Sequence, residues 1–118
     1  MDVLRKTLSS NDVGTTGGHQ SGIHIQKSDA QHPLLPALNP NIKNPDATLA
    51  CVDERGEKHD LRFVYYNNKL HDEGGTRDEY RITCVMDYLQ EVGAKEGDTF
   101  VLTHESGSGH YNIAIISG

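Results

Sequence analysis

The chain has 118 residues and a mass of 13.0 kDa, which is enough for one domain with a single modest core. Its 35% hydrophobic and 24% charged residues are ordinary for a globular protein. The formal net charge of -6 argues against a strongly basic nucleic-acid binder, because phosphate binding is largely electrostatic. No apolar run approaches the about 20 residues of a membrane helix, and no signal peptide is evident, so we expect no membrane partner.

The two cysteines, Cys51 and Cys84, stand in apolar contexts and form no CxxC motif. This pattern favours two buried thiols over a disulfide. We therefore predict a reduced, intracellular protein.

Short runs of period-two alternation, separated by Gly, Pro, Asn and Asp clusters, indicate an all-β domain rich in turns. In the first half of the chain we predict strands at residues 6–10, 23–25 and 48–53. A glycine-bearing loop at 11–22 separates the first two strands. Residues 31–38 have leucines at helical spacing, but their two prolines limit any helix to about two turns.

A turn centred on Gly56 leads into a strand with an apolar face formed by Leu61, Phe63 and Tyr65. A second polar loop follows at residues 67–75. We then predict a strand at 79–84 and a final hairpin of strands 99–104 and 110–116, with its turn at 106–109.

Helical spacing is clearest at Val85, Met86, Leu89 and Val92, and Gly93 is typical of a helix C-terminus. The chain thus carries about seven predicted strands and one or two short helices. A small closed or nearly closed barrel fits this content, since closure removes exposed strand edges.

The first polar loop holds Thr15-Thr16-Gly17-Gly18-His19-Gln20-Ser21-Gly22. Adjacent glycines allow close backbone approach to a ligand, and His19 and Gln20 offer groups suited to base edges. The alternative is a glycine-rich hairpin with incidental polar residues. A Walker phosphate loop is excluded because the GK[ST] ending is missing.

The second polar loop leads into Arg77, Glu79 and Arg81, which alternate onto one face if residues 79–84 form a strand. An arginine can bind guanine O6 and N7 together, and a carboxylate can accept from cytosine N4. The alternative is a surface Arg–Glu ladder, in which each pair contributes only about 0–1 kcal/mol.

The sequence predicts neither a metal site nor a cofactor. Its seven histidines show no HxxxH or HExxH spacing. Pro45-Asp46 followed by Asp53-Glu54-Arg55 is only loosely similar to a PD-(D/E)xK nuclease core, and no Asp-x-Lys or Glu-x-Lys occurs. We therefore expect no catalytic residues and no metal-dependent nuclease centre in this chain.

At the two polar loops the sequence resembles a known family. Residues 6–14, 16–20 and 22–23 resemble the N-terminal effector domain of EcoRII-like restriction endonucleases. Residues 65–67 and 76–83 resemble the second signature of that domain. Residues 95–98 and 100–102 are similar to the closing strand of plant B3 transcription-factor domains, which share the same pseudobarrel.

The resemblance implies a mainly β, seven-stranded DNA-binding pseudobarrel with one or two short helices, forming a single domain over residues 1–118. An N-arm (residues 11–25) and a C-arm (residues 68–81) would grip the major groove of double-stranded DNA at a short GC-rich, CCWGG-like site. Catalysis would lie in a separate nuclease domain of a longer restriction enzyme, in the cytoplasm of a prokaryotic cell.

The resemblance also implies a set of DNA-binding residues, in which Arg77, Asp78, Glu79 and Arg81 read bases while Lys27 and Lys69 contact phosphates. The full set is Thr16, Gly17, Gly18, His19, Gln20, Lys27, Asn68, Lys69, Thr76, Arg77, Asp78, Glu79, Tyr80 and Arg81. Members of the family carry Asn at the position of Asp78. A carboxylate there cannot donate, so it would accept from a cytosine or support an arginine.

The distribution of charge along the chain is compatible with a DNA partner, although the net charge is negative. Residues 1–45 carry four basic and three acidic side chains, a net of +1, whereas residues 46–118 carry seven and fourteen, a net of -7. We therefore predict poor non-specific affinity and a reliance on base contacts. Two rival hypotheses are a small β-barrel metal-dependent enzyme and a non-specific RNA- or protein-binding barrel.

Overall fold

The computed structural model describes residues 2–14 and 22–118, and in this part of the chain seven strands form one sheet. The strands are β1 Asp2–Thr7, β2 Ile23–Ile25, β3 Asp46–Val52, β4 Lys58–Tyr66, β5 Glu79–Thr83, β6 Thr99–His104 and β7 Tyr111–Ile116. Their order across the sheet is β1-β6-β7-β3-β4-β5-β2. Every neighbouring pair is antiparallel except β3 and β7, which run parallel over two residues.

The sheet curls around one core, giving the mainly β, nearly closed barrel that the sequence predicts. Leu61, Phe63 and Tyr65 all point inward from β4, as their alternation indicates. Val64 is also fully buried, although it lies on the other face of the strand. The largest fully buried side chains are Tyr88, Phe63 and Phe100.

Four short helices join the strands in the described residues, two more than the upper limit of the sequence prediction. They are α1 Ser10–Val13, α2 Lys27–Ala30, α3 Asn68–His71 and α4 Met86–Glu91. The helices α1 and α3 occupy the two predicted loops. None of the helices in residues 2–14 and 22–118 has the length and apolar composition needed to cross a membrane.

Several predicted boundaries were wrong for local reasons. The first strand ends at Thr7 rather than residue 10, because Ser9 caps α1 and its side chain accepts a hydrogen bond from the Asp12 amide at 3.1 Å. Residues 31–38, where the leucine spacing left a short helix open, form turns, bends and irregular chain, and α2 ends just before them at Ala30. Cys84 is exposed rather than buried, because β5 ends at Thr83 and the chain turns with a positive φ of 62° at Cys84.

The later elements match their predictions closely. Helix α4 ends at Glu91, and Gly93 follows with a φ of 67°, the left-handed conformation that commonly terminates helices. The hairpin of β6 and β7 is formed as predicted. Cys51 is buried, and both cysteines are free thiols.

The seam between the two edge strands, β1 and β2, is closed by side chains. The buried carboxylate of Asp12 accepts hydrogen bonds from the Ser9 amide at 3.0 Å and the His24 amide at 3.1 Å. Lys6 donates to the His24 carbonyl at 2.9 Å and lies 3.5 Å from Asp12. These contacts satisfy polar groups at the sheet edges and bring the ends of the sheet together.

A second polar network lies in the turn between β3 and β4. The carboxylate of Asp53 accepts from Arg55 and His59, each at 2.8 Å, and from the amides of Arg55 and Glu57. Burial by itself would raise the pKa of Asp53, but these hydrogen bonds hold that pKa well below its ordinary value. Arg55 also pairs with Glu91 at 3.0 Å, which ties the turn to α4.

We expect Asp12→Ala to lower the free energy of unfolding by about 2–4 kcal/mol, because it removes a helix cap and leaves two amides without their acceptor. Urea unfolding would measure the change. The matched control is Glu73→Ala, an exposed carboxylate whose loss should change stability by at most about 0.5 kcal/mol. Equal stabilities for the two variants would contradict the role of Asp12 at the seam.

Candidate nucleic-acid interface

Strand β5 separates core residues from outward-facing charges. Tyr80 and Ile82 project into the core, while Glu79 and Arg81 project from the other face. The antiparallel register places Arg81 opposite His24 of β2 and Glu79 opposite Tyr66 of β4. Because paired residues share a face, a row of polar side chains crosses three strands.

The row centres on one carboxylate held between two guanidinium groups. Glu79 accepts from the Nε of Arg77 at 2.8 Å and from the Nε of Arg81 at 3.1 Å, using a different oxygen for each. Burial raises the pKa of Glu79, but the Arg77 hydrogen bond and both positive charges bring that pKa below its ordinary value. The two predicted base readers therefore share an ionised partner.

Arg81 also connects the C-arm to Gly22, near the C-terminal end of the N-arm. Its Nη1 donates to the Gly22 carbonyl at 2.9 Å, and its side chain is only 11% exposed. Gly22 has a φ of +92°, and a β-carbon there would collide with the Ile82 carbonyl of β5. A glycine at residue 22 is thus required for the close approach of the chain to β5.

Asp78 lies beside this row and forms a separate cluster. Its carboxylate accepts from Lys27 at 2.8 Å and from the hydroxyl of Tyr65. These two hydrogen bonds lower the pKa of Asp78, while burial and the bond to Asp78 raise the pKa of Tyr65 to about 12. Lys27 from the N-terminal half is thereby tied to the C-arm.

The C-arm is held at its root by two asparagines. Asn67 is fully buried, and its backbone N–H and that of Asn44 each donate to the side-chain oxygen of the other residue. The side-chain Nδ2 of Asn67 donates to the carbonyls of Pro40 and Ile42. The side chain of Asn68 accepts from the Arg77 amide at 2.7 Å. These contacts fix both ends of the loop that precedes β5.

Two residues that the sequence analysis did not assign to the site also lie in this row. The ring of Tyr66 lies under Arg77, with its centroid 3.8 Å from the guanidinium carbon. His24 lies opposite Arg81, and burial together with the charges of Lys6 and Arg81 lowers its pKa. The alternation of β2 and β4 was the available signal, since it places both side chains outward beside the arms.

The predicted site residues have different placements. Arg77, Glu79 and Arg81 are brought together, Asp78 and Lys27 pair beside them, and Asn68 supports the loop. Lys69 and Thr76 are exposed. Tyr80 is a correction: its ring is stacked on Tyr65 in the core, with centroids 4.2 Å apart, because it occupies an inward position of β5.

The predicted N-arm contacts Thr16, Gly17, Gly18, His19 and Gln20 lie outside the described residues. In the ranges 2–14 and 22–118, no group of three or more His, Cys, Asp or Glu side chains has the arrangement of a metal site.

We expect Glu79→Ala to free the Nε–H groups of Arg77 and Arg81, because it removes the acceptor that these two groups share. Hydrogen exchange at their Nε–H groups, followed by NMR, should become about tenfold faster or more. The control is Asp72→Ala, which removes another carboxylate of the C-arm, one that pairs with Lys43 at 2.6 Å and not with either arginine. Unchanged exchange in Glu79→Ala would refute the shared clamp.

Similarity to known proteins agrees with this architecture. Residues 1–104 match the family model described as the N-terminal domain of restriction endonuclease EcoRII. The type II restriction enzyme EcoRII of Escherichia coli is 39% identical over 84 residues, which are 69% of this chain and 20% of that enzyme. The chain therefore corresponds to about a fifth of its curated relative.

The fold is also that of the plant B3 pseudobarrel. A chain of the Arabidopsis FUS3–DNA complex superimposes with a TM-score of 0.74 at 19% identity, over 98% of this chain and 96% of the other. Both matches cover most of the sequence, and the range matched by the family model includes Arg77, Glu79 and Arg81. The chain belongs to the family of N-terminal domains of EcoRII-type restriction endonucleases.

Proposed function

We propose that this chain is a sequence-specific reader of double-stranded DNA and that it serves as the recognition domain of a restriction endonuclease. The observation that carries the proposal is the Arg77–Glu79–Arg81 row, in which two arginines are held in fixed orientations on one strand face. Membership of the EcoRII N-terminal family supports it. So does the match to a fold that is seen in a DNA complex.

The chemistry of the row suits base edges in the major groove. Each guanidinium carries further N–H donors beyond those that face Glu79, and an arginine that approaches guanine can bind O6 and N7 together. The carboxylate of Glu79 lies between the two arginines, and a carboxylate oxygen can accept from cytosine N4. Because arginine donors suit guanine and a carboxylate acceptor suits cytosine, their alternation along the row favours a target rich in G·C pairs.

The charge distribution fits recognition by base contacts more than by bulk attraction. Asp53, Glu54 and Glu91 belong to the turn network at the start of β4, whereas the Arg–Glu row lies beside its other end at Tyr66. Acidic groups near the row are paired: Asp78 with Lys27, and Glu79 with both arginines. Repulsion of phosphates by the net charge is therefore reduced at this face.

Lys69 is the best-placed phosphate contact that the described residues offer. It is exposed on α3, and its amide is held by a 3.0 Å hydrogen bond to the Arg77 carbonyl. A cation fixed next to a base reader can set the register of the domain on the duplex. Lys27, which pairs with Asp78 at 2.8 Å, serves the same purpose in the proposal.

Family membership also supports the finer parts of the proposal. We infer a GC-rich target of about five base pairs, CCWGG-like, held in the major groove between the N-arm and the C-arm. Hydrolysis is assigned to a nuclease domain elsewhere in a longer enzyme. Binding of a DNA site by this domain would position or activate that nuclease domain.

We expect Arg77→Ala and Arg81→Ala each to weaken binding to the preferred duplex by about 1–3 kcal/mol and to relax discrimination at one base pair. Fluorescence anisotropy against the preferred duplex and its single-base variants would measure both effects. Lys58→Ala removes an exposed cation at the far end of β4 and should leave discrimination intact. Equal losses on preferred and random duplexes would contradict base reading by the arginines.

We expect Lys69→Ala to weaken binding to all duplexes by a similar factor, because a phosphate contact carries no sequence information. The slope of log K against log salt concentration should become shallower by about one unit. Titrations at several salt concentrations, with Lys58→Ala as the control, would test this. An unchanged slope would remove Lys69 from the phosphate contacts.

A further inference from the structure

Tyr66 is the last residue of β4, and its ring forms a platform under the guanidinium of Arg77. The guanidinium carbon lies 3.8 Å from the ring centroid, which is stacking distance. The two residues come from different segments: Tyr66 ends β4, and Arg77 lies two residues before β5 begins at Glu79, the residue that pairs with Tyr66. The arginine side chain therefore folds back over the ring to reach Glu79.

Two contacts define the position of the Arg77 guanidinium. Glu79 binds one edge of the group through Nε and Nη2, each 2.8 Å from the same oxygen. The Tyr66 ring covers one of its faces. The contact with Glu79 alone would still allow the guanidinium plane to rotate about the bonded edge. The Tyr66 ring restricts this rotation.

The platform is itself fixed by its neighbours. Arg62, which precedes Tyr66 by four residues on β4, donates from Nη1 to the Tyr66 hydroxyl at 3.5 Å. The Nε of Arg62 is held by Asp46 of β3 at 2.6 Å. The ring is thus anchored at its hydroxyl end through a chain of contacts that leads away from the arms.

The orientation matters because an arginine side chain has many rotamers, and a bidentate contact with guanine needs one of them. Arg77 is 35% exposed, and in the described part of the chain it has no backbone acceptor of the kind that Gly22 provides for Arg81. Among residues 2–14 and 22–118, no acceptor meets its Nη1. This group is therefore free to bind a base, provided that its plane is held.

We propose that Tyr66 is a positioning residue for base recognition: its ring holds the Arg77 guanidinium in the plane from which Arg77 reads one base pair. This inference rests on the proposed DNA recognition and adds a specificity determinant that need not touch the base. Removal of the ring lowers discrimination at the base pair read by Arg77 and leaves the base pair read by Arg81 unchanged.

The test is a set of competition titrations against the preferred duplex and its single-base variants, with Tyr66→Phe, Tyr66→Leu, Arg77→Ala and the double variant Tyr66→Leu/Arg77→Ala. We expect Tyr66→Leu to reduce discrimination about three- to thirtyfold, at the base pair that Arg77→Ala also affects. Tyr66→Phe keeps the ring and should keep the discrimination. The double variant should match Arg77→Ala alone, because the ring acts through Arg77.

Lys58→Ala is the matched control, since it alters an exposed side chain at the other end of the same strand and leaves Tyr66, Arg62 and Arg77 unchanged. An independent readout in the free protein is the ring-current shift of the Arg77 side-chain protons, which Tyr66→Leu should abolish and Tyr66→Phe should retain. Tyr66→Thr, a β-branched strand former, provides a second ring-free variant if the leucine variant does not fold.

A uniform loss of affinity in Tyr66→Leu, or a further loss of discrimination in the double variant, would overturn the inference and leave the proposed function intact. The same holds if the Arg77 ring-current shift is absent in the unsubstituted protein. If the unsubstituted protein shows no discrimination between duplexes, the proposed function fails and this inference fails with it.

Discussion

The face that carries the charged row is set by the packing of β5 between β4 and β2. Tyr80 and Ile82 fill the core from this strand, and the strict alternation of a strand then sends Glu79 and Arg81 to the other face. A slip of one residue would bury two charges and expose two large apolar side chains. The hydrophobic core therefore specifies the register of the proposed DNA-reading side chains, and a short strand suffices to present them.

Closure of the barrel and construction of the site depend on the same short segment, residues 22–24 at the start of β2. The amide and carbonyl of His24 are bound by Asp12 and Lys6, which join the two edge strands. Two residues earlier, the carbonyl of Gly22 receives Arg81. The segment from Gly22 to His24, at the end of the N-arm, is thus held by Lys6 of β1 and by Arg81 of β5. The groups that close the sheet and the Arg81 contact therefore meet on one three-residue segment, which couples the geometry of the row to that of the barrel.

The sequence predicts those features that follow from local pattern. Alternation identified the inward face of β4 and the outward row on β5, and the glycine after α4 marked the end of that helix. Alternation also contradicts a DNA contact at Tyr80, although the family resemblance placed it there. The exposure of Cys84 depends on a left-handed turn that its side chain does not signal. The stacking of Tyr66 on Arg77 joins the end of β4 to the loop before β5, so it follows from strand register and side-chain rotamer, which a sequence pattern does not contain.

The central claim is that the row on β5 reads bases, and selection from a random duplex pool tests it most directly. The protein would be incubated with the pool at two salt concentrations, and the bound sequences would be determined alongside anisotropy titrations. We predict enrichment of one short GC-rich site at both salt concentrations, and loss of that preference in Arg77→Ala and Arg81→Ala. Binding without enrichment, or enrichment that persists unchanged in both arginine variants, would contradict the account.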